Sequence, residues 1–204
     1  MKKRLMIISC LVGAVLLIMP EVRSVFALSD AYKDNIYNPG SLKATDSVLK
    51  VKVGGKAPDF RLKAVSGETV SLDRFRGKKN VVISFVPAAW TPVCSDQWPG
   101  YNIVREMFDA NDAILLGITV DNIPTLFSWT NQMGKLWFPV LSDFWPHGAV
   151  AKKYGVLRSD GVAERALFVI DKKGIIRYID VHDINQRPSL GVLMGELEKL
   201  KRGK

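Results

Sequence analysis

Apolar positions along the chain change their period several times, and each change predicts an element. Asp59–Leu72 holds two β-prone runs around Ser66-Gly67-Glu68, a hairpin pattern. Val81–Val86 (VVISFV) is a continuous apolar run rich in β-branched residues, as expected of a strand buried on both faces. Ala113–Val120 (AILLGITV) reads as a second such strand. Between them, Ile103, Val104, Met107 and Phe108 predict one side of a helix running from Cys94 to about Phe108, with Pro99-Gly100 expected to kink or interrupt it. Pro124–Met133 is a helix opened by a proline in its first turn and stopped at Gly134. Phe138–Leu141 is a short extended piece, and Ala149–Tyr154 a short helix ending at Gly155. Ala166–Ile170 and Gly174–Val181 flank Asp171-Lys172-Lys173-Gly174, a second hairpin. Leu190, Leu193, Met194, Leu197 and Leu200 recur at helical spacing with lysines and glutamates opposite, an amphipathic helix that packs on a sheet rather than on a membrane.

Two buried strands joined by a helix call for a right-handed crossover and a parallel pair. The closing hairpin adds antiparallel strands. The expected fold is therefore an α/β domain over residues 48–204, a mixed central β-sheet with helices on both faces, without repeat or second domain. Val48, Val51 and Val53 begin it with strand-like patterning, closed by Gly54-Gly55. Residues 28–47 are polar, carry Asn38-Pro39-Gly40-Ser41, and read as a linker, either a tether or an irregular lead-in.

The N-terminus has a different pattern. Lys2, Lys3 and Arg4 precede an apolar run, Leu5–Met19, that Pro20 and Glu21 end. A run of about fifteen residues fits a secretory core and falls short of the roughly 20 of a spanning helix. Val25-Phe26-Ala27 offers small residues before a cut after Ala27. Residues 1–27 are thus expected to be a signal peptide, with an uncleaved membrane anchor as the alternative, and the protein to be exported to a periplasmic or other extracytoplasmic site. Ile7-Ile8-Ser9-Cys10 is a poor lipoprotein signal, because the apolar run continues past the cysteine.

Composition adds limits. The 204 residues, 48% hydrophobic and 24% charged, suffice for one well-buried domain. The net charge is +9, and loss of residues 1–27 would take it to +6. The basic residues are scattered and no basic run is interleaved with aromatics, so nucleic-acid binding has little support. His147, His182 and Cys94 are not at metal-ligand spacing, and no metal or other cofactor is implied.

Of two cysteines, Cys10 lies in the expected signal, leaving Cys94 alone. An odd cysteine in an exported protein is a free thiol or an intermolecular partner. Cys94 sits in Pro87–Cys94 (PAAWTPVC), between a buried strand and the next helix, where open α/β sheets place ligand sites. Thr91 is a favoured N-cap residue and Pro92 suits the first helical position, which puts Cys94 third, inside the first turn. Unpaired N–H groups and the helix dipole stabilise an anion there, and the thiolate is the nucleophilic form of cysteine. Asp96 opposes this if its carboxylate lies close. Placement alone leaves open whether Cys94 is reactive or an apolar filler.

At these residues the sequence resembles the peroxiredoxin family, of the alkyl hydroperoxide reductase and thiol-specific antioxidant type. Pro87-x-x-x-Thr91-x-x-Cys94 matches its P-x-x-x-T-x-x-C pattern. Ala57-Pro58-Asp59-Phe60, Gly117–Asp121 (GITVD) with Trp129 beyond it, Phe138–Asp143, Ala149–Val156 and Arg165–Tyr178 (RALFVIDKKGIIRY) are similar to further family segments, in order. The resemblance implies a thioredoxin-like fold and a cysteine peroxidase. It makes Cys94 the peroxidatic cysteine, Thr91 a hydroxyl bonding thiolate and peroxide, Pro87 a shield from water, and Arg165 the guanidinium that stabilises the thiolate and polarises the peroxide. Arginine, always charged and forked, would supply the positive group that the helix start leaves wanting. Gln97 stands where the family often has an acid. Trp90 and Trp98 flank the site, and with Gln97 are expected at the substrate pocket, packing and walling it. Outside the resemblance, Thr91 reads as a plain N-cap, Pro87 as a strand end, and Arg165 as a surface ion pair with Glu164.

The implied reaction is attack of the thiolate on ROOH, giving ROH and a sulfenic acid that an external thiol recycles. No resolving cysteine follows Cys94, position 99 being proline, and the chain ends soon after the last helix, as in a one-cysteine peroxiredoxin. Expected partners are a peroxide, a small thiol or thioredoxin-like reductant, and, by resemblance, a second copy in a homodimer. The alternative is an exported peroxide sensor or thiol-binding module that forms a mixed disulfide with a partner protein. A thiol–disulfide reductase would usually need C-x-x-C, and position 91 is threonine.

Overall fold

In the computed structural model, which describes residues 30–202, the VVISFV run forms a strand buried at every position. The expected export segment and Cys10 lie outside the described residues. Seven strands form one sheet: β1 (Arg61–Ala64), β2 (Thr69–Ser71), β3 (Asn80–Phe85), β4 (Ala113–Thr119), β5 (Val140–Ser142), β6 (Arg165–Ile170) and β7 (Ile176–His182), in the order β2-β1-β5-β4-β3-β6-β7. β3, β4 and β5 are parallel, and β6 runs antiparallel to β3. Both expected hairpins form, β1 with β2 and β6 with β7.

The helices are α1 (Asp30–Lys33), α2 (Pro92–Ile103), α3 (Arg105–Ala110), α4 (Ile123–Met133), α5 (Ala149–Tyr154) and α6 (Leu190–Arg202). Side chains alternate across a strand, so the central strands feed two cores. Val81, Ile83 and Phe85 join Phe168 and Tyr154 of α5 on one face. Val82, Leu115 and Val169 join Trp98 of α2, Trp129 of α4 and Leu197 of α6 on the other. This is the mixed-sheet, thioredoxin-like arrangement with helices on both faces.

Local chemistry sets the helix ends. Asn122 caps α4 by accepting from the Thr125 N–H at 3.0 Å. The Asp143 carboxylate accepts from the Val150 and Ala151 N–H groups at the start of α5, although burial pushes its pKa up. Gly155 ends α5 in a left-handed conformation, φ +78°, where a Cβ would lie 2.3 Å from the Lys50 nitrogen.

Three expectations need correction or detail. Val48, Val51 and Val53 form no strand; Val48 and Val53 are exposed, and only the bridge of Lys56 to Ile175 ties this stretch to the sheet edge. The helix after Cys94 passes through Pro99-Gly100 and breaks at Val104 instead. The break resets the helical register, so Ile103 and Met107 face outward while Phe108 is buried. Residues 34–47 are irregular but tied down: Tyr37 N–H donates to the Trp90 carbonyl, and Asn185 bonds both backbone groups of Leu42. Ahead of them, Tyr32 is fully buried in the second core.

Candidate active site

β3 ends where proline removes a donor. Val86 N–H still reaches the Ile118 carbonyl, but Pro87 has none to offer and the chain leaves the sheet. The loop is then pinned from β4: the Asp121 carboxylate accepts from the Ala89 N–H at 2.8 Å and from the Thr119 hydroxyl. Trp90 follows with φ +60°, an uncommon backbone for a bulky residue that must be held by its surroundings. Its carbonyl accepts from Tyr37 N–H, and its ring tilts against Tyr32 with centroids 5.7 Å apart.

Thr91 is the N-cap residue in backbone and Pro92 the first helical residue, as expected. The Thr91 hydroxyl, however, does not cap. It donates to the Ala88 carbonyl at 2.9 Å, closing the loop and leaving its lone pairs free to accept. Cys94 falls in the first turn of α2, fully buried.

The antiparallel register of β6 on β3 pairs Ala166 with Phe85, so Arg165 lies at the same sheet end as the loop after β3. Arg165 Nη2 reaches Cys94 Sγ at 3.5 Å, across 71 residues of sequence. Nη1 donates to Gln97 Oε1 at 2.5 Å, and Nε and Nη2 both donate to the Ile184 carbonyl at 3.1 and 2.9 Å. Gln97 is three residues beyond Cys94 and so shares its helix face. Its Nε2 continues the network to Ser84 Oγ at 3.2 Å and Tyr101 Oη at 2.9 Å. Burial pushes the Tyr101 phenol up, against hydrogen bonds from Ser84 and Gln97, so it stays neutral and serves as a dipole.

Two competing readings fall away. Glu164 does not pair with Arg165; it is buried and bonds Arg158 Nη1 at 2.8 Å. Asp96 does not face the sulfur; it is exposed and pairs with Arg187 at 2.9 Å. Among the described residues, no carboxylate lies within ion-pair distance of Arg165.

A cleft of about 810 Å³ opens over this cluster, with Pro87, Thr91 and Arg165 in its lining. The three residues expected to wall a substrate pocket are placed behind it. Trp98 is fully buried, stacks on Trp129 at 5.0 Å, and fills the space that Gly117 leaves; a Cβ there would lie 2.8 Å from its ring. Gln97 is buried behind Arg165, and Trp90 packs on Tyr32. Ser84, Tyr101 and the Ile184 carbonyl were not foreseen. Tyr101 had a signal, its helical spacing from Gln97, whereas Ser84 and Ile184 meet the site only through the sheet. A guanidinium with neutral partners, beside a thiol at a helix start, can hold a thiolate and bind a partly negative oxygen next to it.

Known proteins share these features. Residues 53–179 match the model of the AhpC/TSA family. Alkyl hydroperoxide reductase E of Mycobacterium bovis is 41% identical over 132 residues, 64% of this chain and 86% of that protein. The chloroplastic 2-Cys peroxiredoxin BAS1 of Spinacia oleracea is 30% identical over 191 residues, 89% of this chain and 71% of that one. The crystal structure of the reduced 2-Cys peroxiredoxin of Plasmodium vivax superposes with a TM-score of 0.70 at 28% identity, covering 74% of this chain and 83% of that one. The chain therefore belongs to the AhpC/TSA family, the peroxiredoxins, a family of cysteine-dependent peroxidases.

Proposed function

We propose that the protein is a thiol-dependent peroxidase that reduces hydrogen peroxide or organic hydroperoxides through Cys94. The observation that carries this is Arg165 Nη2 at 3.5 Å from Cys94 Sγ, with only neutral groups as its other partners. The thiolate sulfur attacks one peroxide oxygen. The S–O bond forms as the O–O bond breaks, and the departing oxygen takes a proton to leave as ROH or water. Arg165 stabilises the thiolate before attack and the charge on the departing oxygen during it. The Thr91 hydroxyl, its proton engaged by the Ala88 carbonyl, offers lone pairs to the peroxide proton. Pro87 closes the floor without adding a donor that water would seek.

The sulfenic acid left on Cys94 is recycled by an external thiol. A first thiol displaces water to give a mixed disulfide, and a second releases Cys94 with the reductant oxidised to its disulfide. Cys94 is the one free cysteine among the described residues, which supports an external reductant. Export through residues 1–27 and assembly as a homodimer complete the proposal.

The test is peroxide loss by the full chain with dithiothreitol as reductant, against Cys94→Ser. Wild type should consume hydrogen peroxide, or failing that an organic hydroperoxide, while the variant stays at the uncatalysed rate. Equal rates for folded, reduced wild type and variant on both peroxides would end this reading.

A further inference from the structure

The cleft over Cys94 has one wall that the family domain does not supply. Residues 37–42 line it opposite Pro87, Thr91 and Arg165, and they precede the matched segment, which begins at residue 53. This wall is part of the fold. Its ends are tied by Tyr37 N–H to the Trp90 carbonyl at 2.8 Å and by Asn185 to both backbone groups of Leu42 at 2.8 and 2.9 Å. Just beyond, Ile184 N–H donates to the Ala44 carbonyl, Arg158 Nη2 to the Lys43 carbonyl at 3.1 Å, and Asp46 N–H to Glu164 Oε1 at 2.5 Å. The last two complete the hydrogen bonding of a buried ion pair, so detaching the segment would leave buried charge unsatisfied.

The size of the cleft then matters. A volume of about 810 Å³ is that of a pocket for a drug-sized ligand, far beyond what hydrogen peroxide fills. Pro39, Leu42, Val93, Val162 and Ile184 give it apolar surface, with Asn38 and Asn185 as neutral polar points.

We propose that residues 37–42 form a specificity strap, which holds the apolar body of an organic hydroperoxide while its peroxide end meets Cys94, with Tyr37 and Leu42 as the determining side chains. This rests on the peroxidase reading and adds the substrate class and the residues that select it. The strap does not touch the reacting atoms. Its effect should appear in the ratio of two substrates rather than in the chemistry common to both.

The test uses the full chain and follows oxidation of Cys94 in single turnover by cumene hydroperoxide and by hydrogen peroxide. In Tyr37→Ala/Leu42→Ala, the ratio of the cumene hydroperoxide rate constant to that of hydrogen peroxide should fall about tenfold, the scale of a few lost apolar contacts. Ser41→Trp, at an exposed position on the same wall, should lower the ratio by filling the cleft. The hydrogen peroxide rate reports on folding within each variant. Tyr37→Ala alone changes an exposed side chain and keeps the ratio readable if the double variant misfolds. A ratio unmoved in all three variants overturns the strap, as does a change confined to reduction of the oxidised enzyme by dithiothreitol, which would give the wall to the reductant. Wild type inert to both peroxides would instead remove the peroxidase reading, and the strap with it.

Discussion

Two buried arginines, seven residues apart, show how one fold uses the same side chain in opposite ways. Arg158 meets a buried carboxylate, Glu164, at 2.8 Å, and its remaining donors go to Asp160 and the Lys43 carbonyl. Its charge is cancelled where it sits. Arg165 meets an amide oxygen, a backbone carbonyl and a sulfur. Its hydrogen bonds are satisfied but its charge is not. Burying an unpaired charge is costly, and a fold that keeps one has a use for it. The thiolate of Cys94 is the anion in reach. Glu164 and Arg165 are adjacent on the chain, so strand alternation sends one to the clamp on residues 43–46 and the other to the sulfur.

If that contrast is right, substitutions should divide into those that unfold and those that silence. Glu164→Ala leaves Arg158 buried without its carboxylate and should cost about 3–5 kcal/mol, read from urea denaturation. The folded fraction should keep its peroxide reactivity. Arg165→Lys keeps a charge but loses the fork that holds Gln97, Ile184 and the sulfur together. It should lower kcat/KM about 10²–10³-fold, the scale of one lost charge-stabilising donor, with a much smaller loss of stability than Glu164→Ala. Equal stability losses in the two variants would erase the distinction.

The smallest expected effect is acid loosening of the clamp. Hydrogen bonds from Lys43 and Ser159 hold the Asp46 carboxyl well below its ordinary value of 3.8. A carboxyl depressed in the folded state stabilises above its unfolded pKa, and that contribution is lost as pH falls below about 3.8 toward the folded value. The gap in urea midpoint between wild type and Asp46→Asn should therefore be widest above pH 5 and narrow below pH 4. A gap that stays constant with pH would mean that this carboxylate does not hold the lead-in.

Much of the site was legible in one dimension. A buried strand, a proline that ends it, an N-cap threonine, a proline at the first helical position and a cysteine in the first turn follow from local backbone chemistry, and the structure has each in place. The misread elements share a cause. The stripe Ile103, Val104, Met107 and Phe108 was read as one helix, but the break at Val104 lies between its members. Val48, Val51 and Val53 have strand spacing but little sheet edge to pair with. In both, a periodic pattern was real while the partner that gives it meaning was not where the pattern assumed. Trp98 was misplaced similarly: its sequence neighbour is the reactive cysteine, yet its packing neighbours are Trp129 and the gap at Gly117.

By itself, then, the sequence determined the elements, their order, the mixed sheet and the cysteine at a helix start, because these depend on side-chain period, proline geometry and capping over a few residues. Only the tertiary structure decided that Arg165 faces the sulfur while Glu164 turns to Arg158, that Gln97 and the Ile184 carbonyl hold the guanidinium, and that residues 37–42 close the cleft. Those contacts span 71 residues for Cys94 and Arg165 and 143 for Leu42 and Asn185. They are set by strand register and by which buried polar groups must find partners, and neither is written in any local stretch of the chain.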